Sequence, residues 1–230
     1  MSSAGGIEFL AIMAKAPRAA YSKTRLIPAI GAEGAARLAA AMIRDTAELC
    51  LSVSRSRVGL SAAICFAPDD GEEQLRDLAP GVATFVAQRG DSLGQRLSAA
   101  FDDLFRAGAE RVVVVGADSP TLPAEVIERA FDRLEQGMDL VIGPTRDGGY
   151  YLIGLRRPTS ALFVAIPWST SRVLAATLDR AAAKGLTVEL LPEWYDIDEP
   201  TDLEHLEALF ATGYTGAPFT RVAIQTWRKR

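Results

Sequence analysis

Val112 to Val115 are four consecutive valines bounded by Arg111 and Gly116. An apolar run without polar alternation predicts a strand covered on both faces, as strands inside parallel sheets are. Further strand patterns occur at IEFLAIMA (7–14), LSAAICFAP (60–68), VATFVAQ (82–88), DLVIGPT (139–145), YYLIGL (150–155) and LTVELL (186–191). Helical patterns fall between them, at about Glu33 to Leu51, from Ser92, at Pro123 to Gln136, Ser171 to Lys184 and Pro200 to Ala211. In the second of these, Leu93, Leu97, Phe101, Leu104 and Phe105 are spaced for one buried face.

Strand–helix alternation of this kind predicts an α/β fold with a mostly parallel sheet and helices on both faces. The stretch DLVIGPTRDGGYYLIGL is the exception, because too few residues separate its strands for a crossover helix. Those strands pair as a hairpin or take separate neighbours, and the sheet is expected to be mixed. One domain is expected over residues 1–212, with 213–230 as a C-terminal extension. Within that extension TRVAIQTWRKR reads as a terminal strand or a loosely held tail, ending in the solvated Arg228-Lys229-Arg230.

Composition narrows the class. Hydrophobic residues at 49% and charged residues at 23% are ordinary for a globular protein with a sizeable core. A net charge of −4 argues against nucleic-acid binding driven by overall charge, so an anionic ligand needs a local basic site. Cys50 and Cys65 stand in apolar surroundings without CxxC spacing, which fits buried thiols in a reducing compartment. The single histidine, His205, lies in an acidic helix, so neither a Ser-His triad nor a His-rich metal site is expected. The first apolar run is short, carries Glu8 and has no basic leader, so it reads as a strand rather than a signal peptide. No run is long enough to cross a membrane by this reading, and a cytoplasmic protein is expected.

Candidate chemistry gathers where strands end. From Phe9 to Ala32 there is no acidic residue, yet Lys15, Arg18, Lys23 and Arg25 cluster in the loop after the first strand. Such a loop suits phosphate oxygens, although the glycine patterns of P-loops and Rossmann turns are absent. Asp118 follows the valine strand, at the edge where open α/β sheets bind ligands. A lone carboxylate there suits Mg2+ or Mn2+, which completes its shell with water and phosphates. In EWYDIDEPTDL, Thr201 and Glu204 have capping-box spacing and Pro200 fits a helix start. Asp196 and Asp198 are left over, and Asp198 is the expected ligand with Asp196 as its support. Ser92 and Gln95 also fit a capping box, while Gly90, Gly94 and Arg96 border a possible nucleotide. Gly148 and Gly149 either form a turn or let a ligand approach the backbone, with Asp147 and Tyr150 facing an acceptor.

The segments MAKAPRAAYSKTRLIPAIG, GADSPTLP, DGGYYLIGL, PWSTSRVL and WYDIDEPTDL, in that order, resemble a bacterial family labelled arsenosugar-biosynthesis-type glycosyltransferases. That family resembles the glycosyltransferase-A, or nucleotide-diphospho-sugar transferase, fold. The resemblance implies that Lys23 and Arg25 contact nucleotide phosphates; Lys15 of the basic loop, with Gly94 and Arg96, is expected from the residues themselves to complete the nucleotide site. It implies a divalent metal on Asp118 and Asp198, and an acceptor beside Asp147, Gly148, Gly149 and Tyr150. Lys23 would stabilise the departing nucleoside diphosphate, and Asp147 would act as the base.

The resemblance favours glycosyl transfer from a nucleotide-sugar to a small acceptor. The sequence departs from the Asp-x-Asp of such enzymes, because Asp118 is followed by Ser119-Pro120. A lone aspartate with a distal second one resembles nucleotidylyltransferases, and SKTRLIPAIGAEGAARLAAAMIRD is similar to 2-phospholactate guanylyltransferases. Nucleotidylyl transfer to a small phosphorylated acid and a non-catalytic nucleotide-binding member are the alternatives. Neither nucleic acid nor membrane is expected as a partner.

Overall fold

Among the described residues the strands are β1 (Glu8–Lys15), β2 (Leu60–Ala67), β3 (Thr84–Ala87), β4 (Arg111–Gly116), β5 (Leu140–Pro144), β6 (Tyr150–Leu155) and β7 (Val188–Leu190). They form one sheet in the order β3-β2-β1-β4-β6-β5-β7 in the computed structural model, which describes residues 6–228. Residues 1–5 and 229–230, the latter part of the expected solvated tail, lie outside the described residues. Strand β6 is antiparallel to both of its neighbours, β4 and β5, while the other pairings are parallel. Of the two expected arrangements the hairpin is the one found, and β6 is the strand that makes the sheet mixed.

The helices are α1 (Ile27–Ser56), α2 (Glu72–Leu78), α3 (Leu93–Arg106), α4 (Ala124–Glu135), α5 (Val173–Ala183), α6 (Pro200–Ala211) and α7 (Pro218–Arg228). Side chains alternate across β1 and β4. Leu10, Ile12, Val113 and Val115 pack with α1, α2 and α4, whereas Phe9, Ala11, Val112 and Val114 pack with α3 and α5. The valine strand is thus buried on both faces, for the reason its pattern gives.

Helix α1 extends beyond the expected span and breaks at Gly31, where φ is 71° and ψ 164°. With its 3-10 lead-in, residues Thr24–Ser56 are long and apolar enough to cross a membrane by length and composition. This corrects the expectation that no run is. The apolar character has a local use, because Ile43, Ala47, Cys50 and Val53 cover the sheet while Leu38 and Met42 meet α6 and α7.

Of the two expected helix caps, one is found and one differs. Helix α3 starts on the Ser92–Gln95 capping box as read from sequence. Helix α6 is instead capped by Glu199 with Asp202, whose carboxylate accepts from the Glu199 N–H at 2.7 Å, and Pro200 is its first residue. The C-terminal segment is neither strand nor loose tail. It forms α7, whose Phe219 and Thr220 N–H groups donate to the buried Asp45 carboxylate of α1 at 3.1 and 2.7 Å. Ile224 then joins the cluster of Leu26, Leu38 and Met42. The capping carboxylate lies far away in sequence, so no local signal announces it.

Candidate active site

The carboxyl edge of the sheet gathers three chain segments. The first is the basic loop after β1. Arg18 is drawn outward by Asp70 at 2.6 Å, and the Pro17 carbonyl accepts from Gln74 at 2.8 Å, so the loop is pinned against α2 and its lead-in. The turn is tightened by the Ser22 hydroxyl, which accepts from the Arg18 N–H at 2.9 Å. Lys23 then adopts the left-handed conformation, φ 46° and ψ 48°, which is uncommon for a residue with a Cβ.

The second segment is Gly116 to Leu122, which turns off β4. The third is Trp194 to Glu199, held alongside it. The Ile197 N–H donates to the Asp118 carbonyl at 2.9 Å, and the Trp194 N–H to the Pro144 carbonyl at 3.1 Å. Thr121 accepts from the Trp194 indole and donates to the Tyr195 hydroxyl. These bonds bring Asp198 beside Asp118 across a long sequence separation.

The outcome is a three-residue ionic site. Lys23 Nζ stands 2.6 Å from Asp118 Oδ1 and 2.7 Å from Asp198 Oδ1. The lysine side chain is 7% exposed, whereas the two carboxylates are 51% and 44% exposed and present their other sides outward. Burial disfavours the Lys23 charge, but Asp118 and Asp198 outweigh it and hold the pKa above the ordinary lysine value. The residue expected on phosphates thus sits between the two acids expected on a metal.

An open cleft of about 870 Å3 spreads from this cluster. Lys15, Arg25, Arg96 and Tyr150 line it, as do Lys23, Asp118 and Asp198. Arg25 reaches Glu199 only at 3.6 Å, with both groups well exposed. Arg96 donates to the Gly90 carbonyl at 2.9 Å. The other expected residues sit elsewhere. A Cβ on Gly94 would come within 2.7 Å of the Phe163 carbonyl and of the Trp168 indole, so close packing accounts for that glycine. Asp147 Oδ1 accepts from the Thr145 hydroxyl at 2.5 Å and the Gly149 N–H at 3.1 Å, closing the β5–β6 turn. Gly148 has φ +87° there, and a Cβ would meet the Ser171 carbonyl at 2.1 Å. Tyr150 borders the cleft, but its hydroxyl is buried beside Thr177 of α5 without a well-aligned partner.

Asp196 is the acid whose titration the site disturbs most. Burial first, then the charges of Asp198, Asp147 and Asp118, push its pKa up to about 6. Sequence reading also passed over Gln88 and Tyr21 of the cleft lining. The Gln88 amide N–H2 donates to the carbonyls of Ala14 at 3.2 Å and Cys65 at 2.7 Å, binding the ends of three strands together. A polar residue directly after a strand at the carboxyl edge was the available signal. Cys50 and Cys65 are buried free thiols, and burial pushes both upward, Cys65 to about 12.

The donor set fits a hard divalent cation. Two carboxylates from different segments already surround one positive charge, and Mg2+ takes one or two carboxylates plus water and phosphate oxygens. Among the described residues no group of three or more His, Cys, Asp or Glu side chains is arranged to hold a metal alone. Phosphate oxygens would have to complete the shell.

Comparison with known proteins agrees with this architecture. Residues 50–170 match the bacterial family described as "Uncharacterized protein conserved in bacteria (DUF2064)", and the chain belongs to that family. No curated protein sequence matches it. A crystal structure from Desulfovibrio desulfuricans G20, provisionally described as a nucleotide-diphospho-sugar transferase, is 30% identical. That alignment covers 96% of this chain and 97% of the other, with a TM-score of 0.80. The CMP:2-keto-3-deoxy-manno-octonic acid synthetase complexed with CTP shares 15% identity over 90% of this chain and 100% of its own, with a TM-score of 0.57. The glucosyl-3-phosphoglycerate synthase of Mycobacterium tuberculosis, solved with Mn2+, UDP and phosphoglyceric acid, shares 12% identity over 88% and 74%, with a TM-score of 0.53. The first likeness gives the nucleotide-diphospho-sugar transferase type of fold, and the last two share that fold alone.

Proposed function

We propose that this member of the family is a nucleotide-using transferase that joins a nucleoside triphosphate to a small anionic acceptor and releases pyrophosphate. The observation that carries this reading is the meeting of Asp118 and Asp198 around one cationic centre, without a second carboxylate two residues after Asp118. A lone strand-end acid paired with a distal one is the arrangement that the sequence shares with nucleotidylyltransferases. An anionic acceptor also needs no base, and the base candidate Asp147 is engaged in closing a turn.

In this reading Lys15, Arg25 and Arg96 neutralise and orient the triphosphate along the cleft. Asp118 and Asp198 would hold Mg2+ or Mn2+, which would supply charge neutralisation on the phosphate oxygens. An acceptor oxygen attacks the α-phosphorus, the bond to the β-phosphate oxygen breaks, and pyrophosphate carries off the electron pair. Lys23 places its ammonium against the leaving oxygens, and Tyr150 flanks the acceptor side. The buried free thiols are in keeping with a cytoplasmic location.

One observation favours glycosyl transfer as a second reading. Asp196, with its pKa pushed up to about 6 beside Asp147, has the character of a base for an acceptor hydroxyl. The two readings separate by product. Purified protein with Mg2+ or Mn2+ is incubated with nucleoside triphosphates or nucleotide-sugars and pools of small phosphorylated acids and sugars. Pyrophosphate release is the expected result. Release of nucleoside diphosphate from a nucleotide-sugar would replace it with the second reading.

A further inference from the structure

We propose that Lys23 is the resident counter-ion of the Asp118–Asp198 pair, so that the pair captures a divalent cation only when a phosphate-bearing ligand draws Lys23 away. The inference deepens the nucleotide reading above and rests on it.

Three observations carry it. The ammonium contacts both carboxylates at 2.6 and 2.7 Å, so it stands where a bridging cation would have to stand. The side chain is nearly buried while the carboxylates are half exposed, so the lysine is seated as part of the wall rather than draped over it. Its backbone is held left-handed at φ 46°, a conformation that is strained for a residue with a Cβ and persists when its surroundings enforce it.

The charge balance gives the mechanism. Two carboxylates and one ammonium sum to a single negative charge, too little to strip water from Mg2+, which dehydrates reluctantly. A polyphosphate changes both sides of that balance. It offers the ammonium an anionic partner within reach of the lysine stem, and it offers the cation additional oxygen ligands. The charge on Lys23 passes from the carboxylates to the phosphates, and both acids are freed together. Arg25, two residues after Lys23 and held to Glu199 only at 3.6 Å, gives an incoming phosphate a first contact.

The test is a titration of the nucleotide-free protein with Mn2+, with free Mn2+ followed by electron paramagnetic resonance. Wild type is compared with Lys23→Met and Lys23→Gly. The glycine variant removes the ammonium and suits the left-handed backbone, so the loop keeps its path. Both variants are expected to bind Mn2+ at least tenfold more tightly than wild type, and Asp118→Asn added to either should abolish the gain. Equal or weaker Mn2+ binding by a folded variant would overturn the inference, as would wild-type binding as tight as that of the variants. No nucleotide is present in the titration. Its outcome is therefore separate from whether CTP, GTP or UDP-glucose binds, which is what decides the underlying reading.

Discussion

Asp118→Asn and Asp198→Asn, made singly and together, ask how the ionic cluster shares its load. Either single change leaves the Lys23 ammonium one carboxylate, at 2.6 or 2.7 Å. Because each acid is about half exposed, each single loss is expected to cost about 1 kcal/mol, the upper range for a solvated pair. The double change strands an ammonium that is 7% exposed, and an unpaired buried charge costs about 3–5 kcal/mol. Proton loss sets a ceiling. From the ordinary value of 10.5, neutralising Lys23 at pH 7.5 costs about 4 kcal/mol, at about 1.36 kcal/mol per unit. The double variant should therefore lose about 3 kcal/mol, more than the two single losses combined. Urea unfolding at pH 7.5 with EDTA, with m-values unchanged, measures this as a coupling energy in a double-mutant cycle. Strictly additive losses would show that Lys23 has no shared partner in solution and would undo the bridging geometry.

Three further outcomes are expected. Asp196→Asn should stabilise the metal-free protein at pH 7.5 and lose that advantage as the pH falls. A carboxyl raised from 3.8 to about 6 contributes stability below its unfolded pKa and forfeits it as pH rises through 6; a gain of equal size at pH 4 and pH 7.5, by thermal unfolding, would contradict the assigned burial. Asp45→Ala should cost about 1–2 kcal/mol through loss of the α7 cap, and hydrogen exchange should quicken at Phe219 and Thr220 first; unchanged protection there would refute the capping role. Glu8→Ala should cost about 3 kcal/mol, because the buried carboxylate at the opposite edge of the sheet binds Arg57 and Arg111. Mn2+ and nucleotide binding by the folded Glu8 variant should match wild type, and a large loss of either would show that the two edges are coupled.

Much of this protein was legible along the chain because it is locally encoded. Alternation in β1 and β4 determines which side chains meet which helix layer, the Ser92–Gln95 box starts α3, and Lys15 and Asp118 follow their strands to the carboxyl edge. Each depends on residues a few positions apart, where the backbone period alone sets direction. What the tertiary structure decided are the pairings between distant segments. Arg18 left the basic cluster for Asp70, and Asp45 turned the supposed tail into α7. Asp147 was claimed by its own turn, which the spacing Thr145-x-Asp147-x-Gly149 permits but does not require. Lys23 found both Asp118 and Asp198 because Ile197 is hydrogen-bonded to the Asp118 carbonyl. A charge takes the nearest opposite charge in space. That distance is set by how the sheet and loops pack, and one-dimensional spacing does not contain it.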